Sequence, residues 1–151
     1  MRRAALFLFG LLAACAAGPR FAEVAGSLPP PPPGAARIFF YRWYEPYETL
    51  SQTTAYLNGA PVGVTQPGSV LYRDVPPGQY AIKVDSYYSF PNQFKTVQLA
   101  AGDTLFVRVE SLHSWSGCTG NILDCPDTFA VSLQPPGTAL AEMGALWLIP
   151  G

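Results

Sequence analysis

Short runs of aromatic and β-branched residues recur along this chain, and turn-forming residues separate them at short intervals. The run over residues 37–44 is rich in Ile, Phe, Tyr and Trp, as strands usually are. Asn58-Gly59 stands between two further runs and predicts a type I′ hairpin turn. In residues 79–87, Tyr80, Ile82 and Val84 fall on one face, which is the period of a half-buried strand. The pattern therefore predicts a chain built mainly of short strands.

Similar patterns along the rest of the chain predict the fold class. Residues 104–110 place Leu105, Val107 and Val109 on one face, whereas residues 138–144 are helix formers and favour a short C-terminal helix. We expect an all-β fold, a single small antiparallel β-sandwich of about seven to eight strands with that short helix. The predicted strands cover 37–44, 53–57, 61–65, 69–74, 79–87, 94–99, 104–110 and 129–133, with a covering strand over 146–149.

The first fourteen residues have the layout of a secretory signal. Arg2 and Arg3 precede an uncharged apolar stretch, and Leu12-Ala13-Ala14-Cys15 closes it. This ending resembles the lipobox of bacterial lipoproteins, which implies cleavage before Cys15 and acyl chains on that residue. The resemblance implies a membrane partner through this lipid and a place in the bacterial cell envelope. Ala16, where an inner-membrane signal often has Asp, favours the outer membrane, facing the periplasm. The alternative is an ordinary cleaved signal peptide.

The composition of the chain after the signal segment limits its partners and its domain organisation. From Cys15 onward, seven basic residues face ten acidic ones, and no basic cluster occurs. Nucleic acid is therefore excluded as a partner, because binding to phosphates needs clustered Lys and Arg. Residues 15–35 contain five consecutive prolines and predict a linker of polyproline II, most simply a stalk, with a docking segment for a Pro-binding partner as the alternative. Residues 36–151 suit one domain.

Three cysteines occur, and lipidation would consume Cys15. An exported compartment is oxidising, so we expect a disulfide between Cys118 and Cys125. A metal site formed by this pair with His113 and Asp124 is the alternative, although its spacing fits no common zinc pattern. A third hypothesis is that Cys118 and Cys125 are free thiols. We expect no bound metal and no cofactor.

Several segments of the strand region are similar to known families. They are Ala36-Arg37-Ile38-Phe39-Phe40-Tyr41-Arg42, Leu57-Asn58-Gly59-Ala60-Pro61-Val62-Gly63, Asp74-Val75-Pro76-Pro77-Gly78-Gln79-Tyr80 and Leu99-Ala100-Ala101-Gly102-Asp103. Together they resemble a family of uncharacterised bacterial lipoproteins with one small β-sandwich, and PEGA and carboxypeptidase-regulatory-like domains. The resemblance spans residues 36–110. It implies the fold and no catalytic residue.

Catalytic motifs are absent from the sequence. A Ser-His-acid set can be written from Ser114, His113 and Asp124, but adjacent residues rarely supply nucleophile and base. Carboxylate pairs for glycoside cleavage would be Glu45 with Glu48 or Asp124 with Asp127, all beside turn formers. We therefore expect a protein that is not an enzyme.

Aromatic loops are the better functional signal. Rings in such loops would stack on sugars or hold a partner protein, although capping of the core is the interpretation we favour for each ring. We expect a non-catalytic binding or scaffold module whose partner is an envelope protein or peptidoglycan. A structural or stress-related envelope protein without a specific ligand, and a small hydrolase, are the alternatives. The candidate binding residues are Trp43, Tyr44, Tyr47, Tyr87, Tyr88 and Trp115, with Phe90 close to the last tyrosine pair.

Overall fold

A computed structural model describes residues 18–44, 50–112 and 127–151. Within these ranges the chain forms nine strands in two sheets and two α-helices. The elements in chain order are α1 (Phe21–Val24), β1 (Ala36–Arg42), β2 (Thr53–Leu57), β3 (Ala60–Thr65), β4 (Ser69–Val75), β5 (Gly78–Val84), β6 (Lys95–Leu99), β7 (Thr104–Ser111), β8 (Phe129–Leu133), α2 (Pro136–Met143) and β9 (Trp147–Leu148). A 3₁₀ turn, Ala25–Ser27, follows α1.

The two sheets face each other as a sandwich, which confirms the predicted all-β class. One sheet has the order β8-β7-β1-β4-β9 and the other β3-β2-β5-β6. Apolar side chains from both fill the space between them, among them Ile38 and Phe40 from β1 and Ile82 and Val84 from β5. Alternate residues of a strand point to one face, so the predicted inward rows of β5 and β7 lie in this core.

Strand pairing differs from the expected purely antiparallel arrangement. β1 pairs antiparallel with β4 but parallel with β7, and β4 pairs parallel with β9. Parallel neighbours need a long crossover connection, and the chain between β1 and β7 supplies it, since it forms β4 and all four strands of the other sheet. The hairpin prediction is confirmed, because Asn58 and Gly59 have φ of 51° and 82°, the left-handed pair that a type I′ turn needs.

A second apolar cluster lies on the outer face of the five-stranded sheet. Phe39 of β1 stacks on Phe106 of β7 with ring centroids 5.4 Å apart, and Phe21 meets Phe39 edge to face at 5.6 Å. Ala139 and Met143 of α2 complete this cover. β1 is therefore buried along its whole length, since a layer lies against each of its faces.

The cover includes part of the predicted linker, which differs from a free stalk. Phe21 is 3% exposed, and its N–H donates to the carbonyl of Leu146. Nη1 of Arg37 donates to the carbonyl of Pro29 at 2.7 Å. The physical reason is that Phe39 and Phe106 would otherwise stand in water, and burying such rings stabilises the fold by roughly 2–3 kcal/mol each. Residues 18–29 thus contact the domain that was expected to begin at residue 36.

Candidate functional site

The topology brings the aromatic loops to one end of the sandwich, here called the loop end. Among the described residues, it comprises those that follow β1, β5 and β7 and those that lead into β2 and β8. Nη1 of Arg42 donates to the carbonyl of Ser51 at 2.5 Å, and the N–H of Tyr87 donates to the carbonyl of Asp127 at 3.0 Å. These bonds tie the last residue of β1 to the segment before β2, and the segment after β5 to the residues before β8. Residues that are far apart in the chain therefore share this end.

The described candidate rings at the loop end are largely exposed. Tyr44 and Tyr87 are each 62% exposed, Tyr88 52% and Phe90 53%, whereas Trp43 is 37% exposed. The prediction that the rings cap the core is therefore wrong for the three tyrosines. Large apolar side chains that stand in water together are typical of interaction surfaces. Tyr47, Trp115, Cys15, Cys118 and Cys125 lie outside the described residues.

Tyr87, Tyr88 and Phe90 form a compact group, here called the aromatic loop (residues 86–93). The rings of Tyr87 and Tyr88 meet nearly perpendicular with centroids 4.6 Å apart, and Tyr88 and Phe90 lie 6.3 Å apart. Edge-to-face contact is the favoured geometry of aromatic pairs. The rings therefore hold one another in a defined surface.

Gln93 fixes the backbone of the aromatic loop. It is 4% exposed, and its Nε2 lies within donating distance of Ser86 Oγ (2.7 Å) and of the carbonyls of Tyr88 (2.9 Å) and Phe129 (2.5 Å). Its Oε1 accepts from the N–H of Phe90 at 2.7 Å. A buried amide that uses both ends links the loop to β8. Sequence reasoning missed Gln93, because nothing in the local pattern separates a buried Gln from the surface ones.

A groove of about 550 Å³ opens beside Trp43 and Tyr44. Tyr44 lies across the turn before β4, where Gly68 has φ of +76° and where an added Cβ would come within 3.2 Å of the Tyr44 Cβ. Glycine at this turn thus permits both the left-handed backbone and the close approach of Tyr44. The groove is lined by Arg20, Trp43, Tyr44, Gly68, Glu142 and Trp147, among others.

Both cations near the groove lie over tryptophan rings. The guanidinium of Arg20 is 3.9 Å from the centroid of the Trp147 ring, and that of Arg108 is 5.1 Å from Trp43. Nη1 of Arg20 also donates to the carbonyl of Ala145. Such cation–π contacts are attractive and fix the planes of the rings. Arg20 and Trp147 were not among the predicted site residues, since they come from opposite ends of the chain.

Glu142 is held at the edge of the groove by two donors. Tyr41 Oη donates to its Oε2 at 2.5 Å, and Arg108 Nη1 donates to its Oε1 at 3.2 Å. Burial, followed by the hydrogen bond to Glu142, raises the pKa of Tyr41, so its phenol stays a donor. Burial lowers the pKa of Arg108, but its hydrogen bond to Glu110 and the charges of Glu110 and Glu142 outweigh this and raise it.

The described residues contain no group of three or more His, Cys, Asp or Glu side chains that could hold a metal ion. Asp127, one of the carboxylates considered for glycoside cleavage, is 6% exposed and accepts from Ser111 Oγ at 2.7 Å and from the N–H of Thr128 at 2.6 Å. It therefore has a structural role at the start of β8. His113, Ser114, Asp124, Glu45 and Glu48 lie outside the described residues.

Among residues 18–44, 50–112 and 127–151, no helix is both long and apolar enough to cross a bilayer.

Comparison with protein families assigns the central part of the chain to a family. Residues 32–120 match the family model described as "Protein of unknown function (DUF2846)". No curated protein and no solved structure matches the chain. The matched range begins before β1 and includes the aromatic loop, whereas Arg20, Glu142 and Trp147 lie outside it.

Proposed function

The chain belongs to the DUF2846 family, a family of unknown function, and we propose that it is a lipid-anchored envelope protein whose β-sandwich is a non-catalytic binding or scaffold module. The loop end is the contact surface of this module. The observation that carries the proposal is the exposed, ordered ring cluster of Tyr87, Tyr88 and Phe90, which the buried Gln93 holds against β8.

A preformed aromatic surface suits binding for an energetic reason. Tyr and Phe bring large contact areas with few rotatable bonds, and such anchors dominate binding energies. Ordering a flexible loop on binding costs free energy, and the four contacts of Gln93 have already ordered this one in the unbound protein. A binding role therefore explains the exposed rings better than a purely structural role does.

The tether in this proposal is the acyl-modified Cys15, as the lipobox-like sequence implies. Two or more acyl chains give stable anchoring, because each buried methylene contributes about 0.8 kcal/mol. Only Ala16 and Ala17 separate Cys15 from Gly18, where the chain already contacts the domain. Three residues reach at most about 11 Å. The module would therefore sit close to the bilayer instead of on a long stalk.

We place the protein in the outer membrane, facing the periplasm, with an envelope protein or peptidoglycan as the partner. Holding a module near one surface raises its effective concentration there, so that weak contacts suffice. We also propose that the chain is similar to bacterial lipoproteins and to PEGA-like domains. A disulfide between Cys118 and Cys125 is a further part of the proposal.

Photo-crosslinking in intact cells tests the contact surface. A benzophenone amino acid replaces Tyr88 in one variant and Ala101 in another; Ala101 is exposed in the turn before β7, at the opposite end of the sandwich. We expect a defined crosslinked product from position 88 and little from position 101. Equal products from both positions, or none from position 88, would overturn the assignment of the loop end.

The tether is tested separately by fractionation of cells that carry Cys15→Ser. We expect the parent to be in the membrane fraction and the variant to leave it. A variant that stays with the membrane as the parent does would contradict the lipid anchor and leave the result at position 88 unaffected.

A further inference from the structure

We propose that the groove lined by Trp43, Tyr44 and Trp147 binds a pyranose unit of a glycan. The inference rests on the proposed function and names the chemical class of ligand that the loop end takes. It differs from the aromatic loop in its residues, because Arg20, Glu142 and Trp147 reach the groove from the N-terminal segment, α2 and β9.

The aromatic side chains supply faces of the right chemistry. A pyranose ring carries C–H groups on its broad faces, and these are attracted to the negative π-face of an indole or phenol. Tyr44 is 62% exposed and Trp43 37%, so part of each ring is open to a ligand. The groove volume of about 550 Å³ is within the range of small-molecule sites and holds more than one sugar ring.

Polar groups at the groove match the edge of a sugar. Hydroxyl groups both donate and accept hydrogen bonds, and the groove offers the guanidinium of Arg20 as donor and the carboxylate of Glu142 as acceptor. Both side chains are already positioned: Arg20 lies over Trp147 at 3.9 Å, and Glu142 is bonded to Tyr41 and Arg108. The binding cost of ordering them is therefore small.

The charges at the groove disfavour other ligand classes. One cation and one carboxylate line it, so a phosphate-rich ligand would meet Glu142 as well as Arg20. A wholly apolar segment would displace water from both charged groups and offer no hydrogen bonds in its place, which costs free energy. A neutral ring with hydroxyl groups satisfies both, and glycan is the polymer of such rings.

Titration with two tetrasaccharides tests the inference. The full chain is purified in a detergent without a sugar headgroup and titrated with chitotetraose, which carries acetamido groups, and with cellotetraose, which carries only hydroxyls. Intrinsic tryptophan fluorescence reports binding, because Trp43 and Trp147 line the groove. We expect saturable binding of at least one sugar, and the preferred one tells which substituents are recognised.

Two alanine variants locate the site. Tyr44→Ala removes a groove ring, whereas Leu133→Ala removes an exposed apolar side chain of the edge strand β8 that does not line the groove. We expect Tyr44→Ala to weaken saccharide affinity about tenfold, which corresponds to about 1.4 kcal/mol, and Leu133→Ala to leave it within about twofold. Both positions are exposed, so both variants should fold as the parent does.

Failure of this inference is distinguishable from failure of the proposed function. Binding of neither tetrasaccharide, or equal weakening by Tyr44→Ala and Leu133→Ala, overturns the glycan groove. If crosslinks from position 88 are still observed in that case, the proposed binding module is retained and only the glycan groove is rejected.

Discussion

Gln93 is the residue on which the shape of the aromatic loop depends. Gln93→Ala removes an amide that contacts Ser86, Tyr88, Phe90 and Phe129. Because buried partners are left unsatisfied, we expect the free energy of unfolding to fall by about 2–3 kcal/mol. Urea denaturation measures it.

The matched control for this change is Gln98→Ala, at an exposed position of the edge strand β6. Surface changes of this kind usually stay within about 0.5 kcal/mol of the parent. Equal losses in both variants would show that the Gln93 network does not hold the loop.

Tyr41 gives the fold a dependence on alkaline pH. Burial and the hydrogen bond to Glu142 raise its pKa in the folded state above the value of about 10 in an unfolded chain. Between these two values the folded state holds a proton that the unfolded state has lost, so the free energy of unfolding falls as pH rises. We expect its contribution to be complete below about pH 10 and to decline above it. Urea denaturation from pH 8 to 11 should show a shallower decline for Tyr41→Phe; an identical decline would contradict the assignment.

At the scale of elements, the N-terminal segment is part of the fold. An added Cβ at Gly18 would overlap the carbonyl oxygen of Leu148 in β9, whereas at Gly26 it would meet nothing within 4 Å. We therefore expect Gly18→Ala to cost about 1–3 kcal/mol of stability, and Gly26→Ala to be neutral or stabilising by roughly 0.4–1 kcal/mol.

Limited trypsin digestion measures whether the segment detaches, because Arg20 supplies a cleavage site within it. Cleavage after Arg20 should be faster in Gly18→Ala than in the parent and unchanged in Gly26→Ala. The docking of the segment would be refuted by equal cleavage rates in all three proteins.

Local patterns explain why most elements could be predicted. The alternation in β5 and β7 and the Asn58-Gly59 turn are properties of a few neighbouring residues, and the structure places them as expected. The cover by residues 18–29 could not be predicted in this way, because Phe21 is the single aromatic residue of this segment and its partner Phe39 belongs to a separate element. The parallel pairing of β1 with β7 could not be predicted either, because the periodicity of a strand does not indicate which strand pairs with it.

The candidate site was predictable in part for the same reason. Aromatic residues beside turns are visible in the sequence, and Trp43, Tyr44, Tyr87 and Tyr88 do lie at one end of the sandwich. Whether these rings are exposed depends on which other elements pack over them in the tertiary structure. The groove needed residues from both ends of the chain, and only the fold brings Arg20 to Trp147.

At the scale of the whole molecule, the described chain suggests which way the module faces. Arg20 bridges antiparallel to Trp147, and β9 runs parallel to β4, which starts at the loop end. From Arg20 back to Gly18 the chain therefore runs away from the loop end. A lipid on Cys15 would then hold the opposite end of the sandwich nearer the bilayer and present the aromatic rings to a partner.

Energy transfer from the protein to the membrane measures which end of the sandwich lies nearer the bilayer. The full chain, with the proposed lipid on Cys15, is reconstituted in vesicles that contain acceptor-labelled lipid, and a donor dye is placed on a non-natural residue at position 88 or at position 101. We expect stronger transfer from position 101, because that turn would lie nearer the bilayer. Stronger transfer from position 88 would contradict it and would make Tyr87, Tyr88 and Phe90 a membrane contact, since aromatic side chains favour the bilayer interface.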